Sequence, residues 1–378
     1  MSQRDHGYDQ LTVAVLGTGR QGNAHLAALA RLRDEGVQAD GHTVRVEPVL
    51  YGRDPKKVAE LAERYGIHRT STDLEEILDA PDVAVIDNCL VNSMHYTPLM
   101  RAIEQGKHVL SEKPLTTNLA DGERLLAAAR AACVHHGIIQ HMRFTPGPVR
   151  AKELIEAGQL GRIFSANALF GYMVPQTITN RPTWFYKREL AGGGIVEDVM
   201  THLFDLLRFL IGPITSVYAA TGIAWKERRE PTGAIFPVTV EDIASVVIKF
   251  ANGATGHCFT SWARRRHEEV PQFQIDGEDA SLLFGFNQLM VQRQEENRSV
   301  QPSANLAQTD PEGWQVVELQ SQDPFLAQIR RFLTGIAEGH PSKPDWEDGV
   351  TNLRLVTATY RSAAEGREVP LSEMGEKG

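Results

Sequence analysis

Leu11-Thr12-Val13-Ala14-Val15-Leu16-Gly17-Thr18-Gly19-Arg20-Gln21-Gly22 is the stretch on which the reading of the fold turns. A short, almost unbroken apolar run suits a strand covered on both faces of a parallel sheet. Glycines follow at once, and residues 23–33 then carry leucines and alanines at helical spacing. In that setting each glycine has its own task. Gly17 allows a tight turn, Gly19 lets the backbone approach a pyrophosphate, and Gly22 lets the helix pack closely on the strand. The opening N–H groups of the helix, around Arg20 and Gln21, are left to meet phosphate charge. These five residues are therefore expected to contact a dinucleotide.

The pattern repeats downstream. Residues 44–51, 82–88 and 108–111 read as strands. Residues 55–65, 95–105 and 119–136 read as helices, the first opening on Pro55 and the last closing on a left-handed Gly137. Alternating strands and helices predict a parallel sheet covered on both sides, an α/β Rossmann domain over residues 1–145. The texture then changes. Pro146 and Pro148 interrupt, residues 149–157 form a helix, and strand-like runs follow at 163–171, 215–224, 243–250, 253–262, 273–277, 280–284 and 289–293. One helix, 195–210, is closed by Gly212-Pro213, and two more, 325–338 and 346–365, end the chain. Residues 146–378 are thus expected to form an α+β domain on a large open, mainly antiparallel sheet that binds substrate and carries subunit contacts. Residues 294–312 read as a loop.

The end of the second strand bears on which dinucleotide binds. An acidic residue there accepts hydrogen bonds from a bare ribose and repels a 2′-phosphate. Here the chain reads Tyr51-Gly52-Arg53-Asp54. Gly52 leaves room and Arg53 offers a planar fork of donors to a phosphate, which favours NADP over NAD. In the alternative reading Arg53 is a solvated turn residue and Asp54 holds the ribose. The segment between the first helix and the second strand is longer than usual.

Composition sets the outer bounds. With 39 Lys and Arg against 48 Asp and Glu, the net charge is -9, and nucleic acid is not the expected partner. Three widely spaced cysteines support neither a disulfide framework nor a cysteine zinc site. No metal is expected. The first ten residues lack an apolar run and no stretch is long enough to span a bilayer, so a cytoplasmic protein without membrane attachment is expected.

Two further segments carry chemistry. Gly106-Lys107-His108-Val109-Leu110-Ser111-Glu112-Lys113-Pro114 falls where a strand leaves the carboxyl edge of the sheet. Ligands of open α/β sheets bind beyond that edge, so Lys113 is expected to reach the nicotinamide and exchange a proton with a substrate oxygen. The second segment runs from Gly192-Gly193-Gly194 into a helix that carries Asp198 and His202 four residues apart on one face. An imidazole beside a carboxylate suits a general base in alcohol oxidation. Taken alone, the pair also suits a metal site or a structural hydrogen bond.

Together these segments resemble the Gfo/Idh/MocA oxidoreductases. The resemblance takes in the glycine turn, Asn92 and His95, residues 106–114, Arg143-Phe144, Gly158 to Gly161, and the block from Gly192 to Gly212. Glu241-Asp242, Asn252-Gly253-Ala254, Ser261-Trp262, Gly277 and the closing helices also fit. It implies an NAD(P)-dependent oxidoreductase of a sugar, inositol or similar polyol, assembled as a homodimer or homotetramer through the second sheet. It further implies catalysis by Lys113, Asp198 and His202, and cofactor contacts from Glu112, Asn92 and His95 besides the glycine turn, Gly52, Arg53 and Lys113. Substrate contacts are expected from Lys113, Arg143, Trp184, Tyr186, Asp198 and His202. The sequence departs from the family pattern at Val91, where proline often stands, and at Gly52, where an acidic residue is frequent. Glycosidases that oxidise transiently and dinucleotide-sensing regulators are the rival readings of this fold.

Overall fold

A computed structural model describes residues 8–178, 181–265, 272–293 and 313–375. The chain divides into two compact units, Met1–His141 with Arg188–Gly192 and Asp323–Leu353, and Met142–Lys187 with Gly193–Gln322 and Arg354–Gly378. The first change of unit falls between His141 and Met142. The chain then returns twice to the first unit, which no composition shift announces.

In the first unit, the strands Arg69–Ser71, His42–Tyr51, Gln10–Leu16, Val85–Asn88, His108–Ser111 and His136–Ile138 lie side by side, all parallel. In chain order this is 3-2-1-4-5-6, the doubly wound Rossmann arrangement, whose order reverses at Gln10–Leu16. Alternation along the strands feeds two cores. Val13, Val15 and Val46 meet Leu26, Leu29 and Leu32 of the helix Arg20–Glu35 on one face. Ala14, Leu16, Ile86 and Val109 meet Leu99, Ile103 and Leu125 on the other.

The extra residues before the second strand form an added strand, Val37–Ala39, antiparallel to His42–Val44. Asp40 and Gly41 turn the hairpin with φ of 44° and 81°, the left-handed pair that an Asp-Gly turn supplies. The helix expected over 119–136 stops at Ala131. Cys133 takes a φ of 52°, Cys133 N–H bonds Arg130 O and Val134 N–H bonds Ala129 O, so the helix is closed without a glycine. Gly137 belongs instead to the edge strand, where a Cβ would lie 2.8 Å from Leu110 Cδ1 and 2.9 Å from the Phe332 ring. That edge is held by the helix Pro324–Ala337: Gln328 Nε2 donates to Ile138 O at 2.7 Å, and Gln328 Oε1 accepts from Gln140 N at 3.0 Å.

Among the described residues, the second unit is built on a sheet of nine strands, with one parallel pair, Ile163–Gly171 beside Thr255–Ser261, and every other pairing antiparallel. Its inner face packs on the helices Pro146–Glu156 and Thr201–Ile211 through Leu154, Leu203, Leu207, Val246, Ile248 and Phe273. Pro146 and Pro148 do not interrupt. They occupy the opening turn of the helix, where a missing N–H costs nothing. The loop expected at 294–312 lies outside the described residues. Among the described residues no helix is long and apolar enough to cross a membrane.

Candidate active site

The glycine turn leaves the strand Gln10–Leu16 with Gly17 at a φ of 123° and its N–H bonded to Tyr51 O at 2.9 Å. A Cβ at Gly17 would lie 2.7 Å from Cys89 O, and one at Gly22 would lie 2.1 Å from Gly17 O. Around Gly19 there is open space: a Cβ would meet nothing within 4 Å. The helix that follows has no side-chain cap and no acidic residue in its first turn. Unsatisfied N–H groups beside an open, exposed glycine fit a pyrophosphate, both by hydrogen bonding and by the positive end of the helix dipole.

One turn into that helix His25 is wholly buried. Its Nδ1 lies 2.8 and 2.9 Å from the two oxygens of Asp87, and its Nε2 lies 3.2 Å from Glu112 Oε1. Gln21 Nε2 donates to the same Glu112 oxygen at 2.9 Å, and Lys113 N–H donates to Glu112 Oε2 at 3.1 Å. Burial opposes charge on Glu112, but hydrogen bonding and the charge of His25 outweigh it and hold its pKa below the usual range. His141, stacked on Phe325 with ring centres 4.4 Å apart, has its pKa pushed down by burial to about 4. Asp87 and the His25 contact carry no simple sequence signal. The helical spacing of Gln21 and His25, four residues apart, was the available hint.

At the end of the second strand Gly52 has a packing reason. A Cβ there would lie 2.4 Å from Thr18 Cγ2 and 2.8 Å from Val58 Cγ2, so the glycine is not standing open for a phosphate. Arg53 is exposed. Asp54 caps the helix Pro55–Tyr65, its Oδ1 accepting from the N–H groups of Lys56 at 3.0 Å and Lys57 at 3.4 Å. Asn92 Nδ2 donates to Ala191 O at 2.9 Å. His95 is enclosed, with Nδ1 2.9 Å from Pro114 O and Nε2 3.0 Å from Leu90 O, so it ties the turn after Lys113 to the loop after the strand Val85–Asn88. Lys113 itself is half-buried and begins a cis peptide to Pro114.

In the second unit the glycine run is forced by close approach. A Cβ at Gly193 would lie 1.9 Å from Tyr360 Oη, and one at Gly194 would lie 1.9 Å from Glu241 O. Glu241 explains the arrangement: its Oε1 accepts from Gly194 N at 2.9 Å, Val196 N at 3.0 Å and Tyr360 Oη at 2.8 Å. A carboxylate thus caps the helix that carries Asp198 and His202. That helix is not a uniform α-helix as expected. Val196–Met200 is a π turn, with Thr201 N–H reaching back to Val196 O, and α geometry begins at Thr201. π turns of this kind recur at functional sites.

Asp198 lies in the π turn. Arg181 Nη1 donates to its Oδ2 at 2.8 Å and Tyr172 Oη donates to it at 3.4 Å. The Arg181 guanidinium rests among Tyr172, Phe185 and Trp262, 4.9 to 5.4 Å from each ring centre. His202 is buried in the first turn of α geometry. Two expected substrate contacts are packed inward. Arg143 makes two hydrogen bonds of 2.6 Å to Asp205 and is buried, so its charge is taken up within the unit. Tyr186 is fully buried against Trp262 and beneath Arg228. Trp184 is half-buried and stacked on Phe185. Nothing in the sequence marks Arg181, Tyr172 or the capping role of Glu241, because Arg181 and Tyr172 lie outside the strands and helices and carry no periodicity.

Comparison with known proteins agrees in both units. Residues 11–137 match the model of an oxidoreductase family with an NAD-binding Rossmann fold, and residues 149–283 match the GFO/IDH/MocA C-terminal domain. D-xylose dehydrogenase of Paenarthrobacter nicotinovorans is 28% identical over 379 residues, spanning 96% of this chain and 97% of that protein. An uncharacterized oxidoreductase of Synechocystis sp. is 32% identical over 287 residues, 74% of this chain and 72% of its own. Levoglucosan dehydrogenase solved in complex with NADH superposes with a TM-score of 0.85 at 26% identity, covering 96% of this chain and 99% of the other.

Proposed function

The chain belongs to the Gfo/Idh/MocA oxidoreductases, and from that membership we propose that it is an NADP-preferring dehydrogenase or reductase of a sugar, inositol or related polyhydroxylated compound. The observation that carries the reading is the open Gly19 before an uncapped helix N-terminus without acidic side chains. The substrates named for two full-length relatives, D-xylose and levoglucosan, support a carbinol carbon as the reacting centre.

When bound, the nicotinamide supplies the hydride acceptor or donor. The chain's own residues hold geometry and move the proton. Lys113 donates a hydrogen bond to the reacting oxygen, His202 exchanges the hydroxyl proton, and Asp198 orients or assists that exchange. The Gly17, Gly19 and Gly22 backbone and the N–H groups of Arg20 and Gln21 hold the pyrophosphate. The preference for NADP is supported by Arg53, which is exposed, while the neighbouring Asp54 carboxylate serves as a helix cap. Self-association through the second sheet is supported by Tyr218 and Val247, which pair across strands and are 49% and 48% exposed. Cytosolic residence is supported by three cysteines that form no disulfide.

Fluorescence titration with NADPH and NADH tests the cofactor reading. The wild type should bind NADPH more tightly, and Arg53→Ala should weaken NADPH roughly tenfold, the worth of one charge-assisted contact, with NADH unchanged. Tighter NADH binding by the wild type contradicts the preference and leaves the dehydrogenase reading in place.

A further inference from the structure

The buried group around His25 has no part in the steps above, yet it joins the two segments that carry them. Carboxylate oxygens stand against both ring nitrogens: Asp87 at 2.8 and 2.9 Å from Nδ1, Glu112 at 3.2 Å from Nε2. A neutral imidazole has one donor and one acceptor nitrogen, and a carboxylate only accepts, so satisfying both contacts requires a proton on each nitrogen. The Cys89 sulfur, 3.2 Å from Nδ1, belongs to a thiol that burial pushes up to about 12 and keeps neutral. Other neighbours include Phe325, with its ring centre 5.4 Å away, Gln21 and Lys113, which donate to Glu112, and His141, whose pKa burial lowers to about 4, so that it adds no competing charge at neutral pH.

We propose that His25 is a doubly protonated positioning residue that acts through Glu112. Its imidazolium fixes the Glu112 carboxylate so that one oxygen holds Gln21 in the first helical turn and the other holds the backbone of Lys113. The dinucleotide-binding turn and the Lys113 turn are thereby locked in one register before any ligand arrives. The assignment rests on the reading of a dinucleotide site at Gly17 to Gly22. It also accounts for the pairing of a histidine with two carboxylates in a place where an isolated buried charge is strongly disfavoured. Burial opposes the charge on His25, but the charge of Asp87, with Cys89 beside it and the hydrogen bonds to both, outweighs burial, and its pKa stands well above the usual value.

Imidazole nitrogen NMR of the labelled wild type at neutral pH tests the protonation directly, and it needs no variant. Both His25 nitrogens should show the protonated signature. A double-mutant cycle then tests the route of action, with the dissociation constant of NADPH read by fluorescence. His25→Asn and Glu112→Gln should each weaken binding about tenfold, the worth of one charge-assisted hydrogen bond. Combined, they should cost less than about twofold beyond either alone, because the second change removes nothing further. Multiplicative losses would indicate independent structural effects and overturn the proposal. So would a neutral His25 signature, or bound zinc in the purified protein, since a metal needs the lone pair that the second proton occupies. A wild type that binds neither NADPH nor NADH would defeat the dehydrogenase reading, while the NMR signature would still decide the protonation of His25.

Discussion

Arg181 holds Asp198 by a 2.8 Å hydrogen bond from Nη1 to Oδ2, with the guanidinium braced by the Trp262 ring 5.0 Å away. Asp198 is the proposed orienting carboxylate, and this contact fixes its position in the π turn. Arg181→Met should lower kcat roughly tenfold to a hundredfold, matching about 1.5–3 kcal/mol for a charge-assisted bond. Arg181→Lys should recover only part of it, since an ammonium does not reproduce the fork or the stacking. Steady-state rates decide it. Unchanged turnover in Arg181→Met would separate Asp198 from the reaction.

Lys113→Ala should remove most turnover and leave cofactor affinity within about threefold. Losing a preorganised hydrogen-bond donor to the reacting oxygen typically costs ~10²–10³-fold in rate. The Lys113 backbone N–H, which bonds Glu112, is kept by this change, so the cofactor turn should stay in register. A fall in kcat of less than about threefold would remove Lys113 from the chemistry.

The glycine run predicts a contrast in stability. At Gly194 a Cβ would sit 1.9 Å from Glu241 O, a backbone atom that cannot rotate away. Gly194→Ala should destabilise by about 1–3 kcal/mol or more, the usual cost of overpacking. Gly222, in the strand Ile214–Gly222, has nothing within 4 Å of its Cβ position, and Gly222→Ala should change stability by no more than ~0.5 kcal/mol. Urea melts of the two variants provide the comparison. Equal midpoints would mean the helix start can relax.

Acid should weaken the first unit through His141. Its folded pKa, about 4, lies below the unfolded value of 6.5. Between those values the unfolded chain binds a proton that the folded chain does not, so stability rises with pH in that window and is lost on acidification through it. The shift corresponds to roughly 3 kcal/mol at most. His141→Phe, which keeps the stack on Phe325, should reduce the loss in urea midpoint between neutral pH and pH near 4.5. An identical loss in the variant would assign the acid sensitivity to other groups.

The sequence made the Rossmann sheet legible because strands buried on both faces leave continuous apolar runs and the glycine turn stands between a strand and a helix inside repeated βα units. Strands 243–250, 280–284 and 289–293 were found to the residue for a related reason: alternation and turn residues bound them closely. The end of the helix at Ala131 was missed because Cys133, not a glycine, takes the left-handed position. The π turn was missed because its residues keep an apolar pattern that also fits an α-helix. Gly52 suggests space for a ligand in the sequence, whereas close packing of Thr18 and Val58 is what requires it. The family resemblance implies substrate contacts from Arg143 and Tyr186, whereas packing turns both inward. Long-range partners such as Glu241 with Gly194, or Asp87 with His25, lie far apart in the chain, and no local pattern announces them.

The central claim is net redox turnover of a polyhydroxylated substrate with a freely exchanging nicotinamide cofactor. The most direct measurement is a screen of purified protein with NADP⁺ and with NAD⁺ against sugars, anhydrosugars and inositols, following formation of the reduced nicotinamide. The account predicts steady formation with at least one compound, faster with NADP⁺, and abolished in His202→Asn. Tight cofactor binding without turnover of any compound, or hydrolysis of a glycoside without net cofactor reduction, would contradict it.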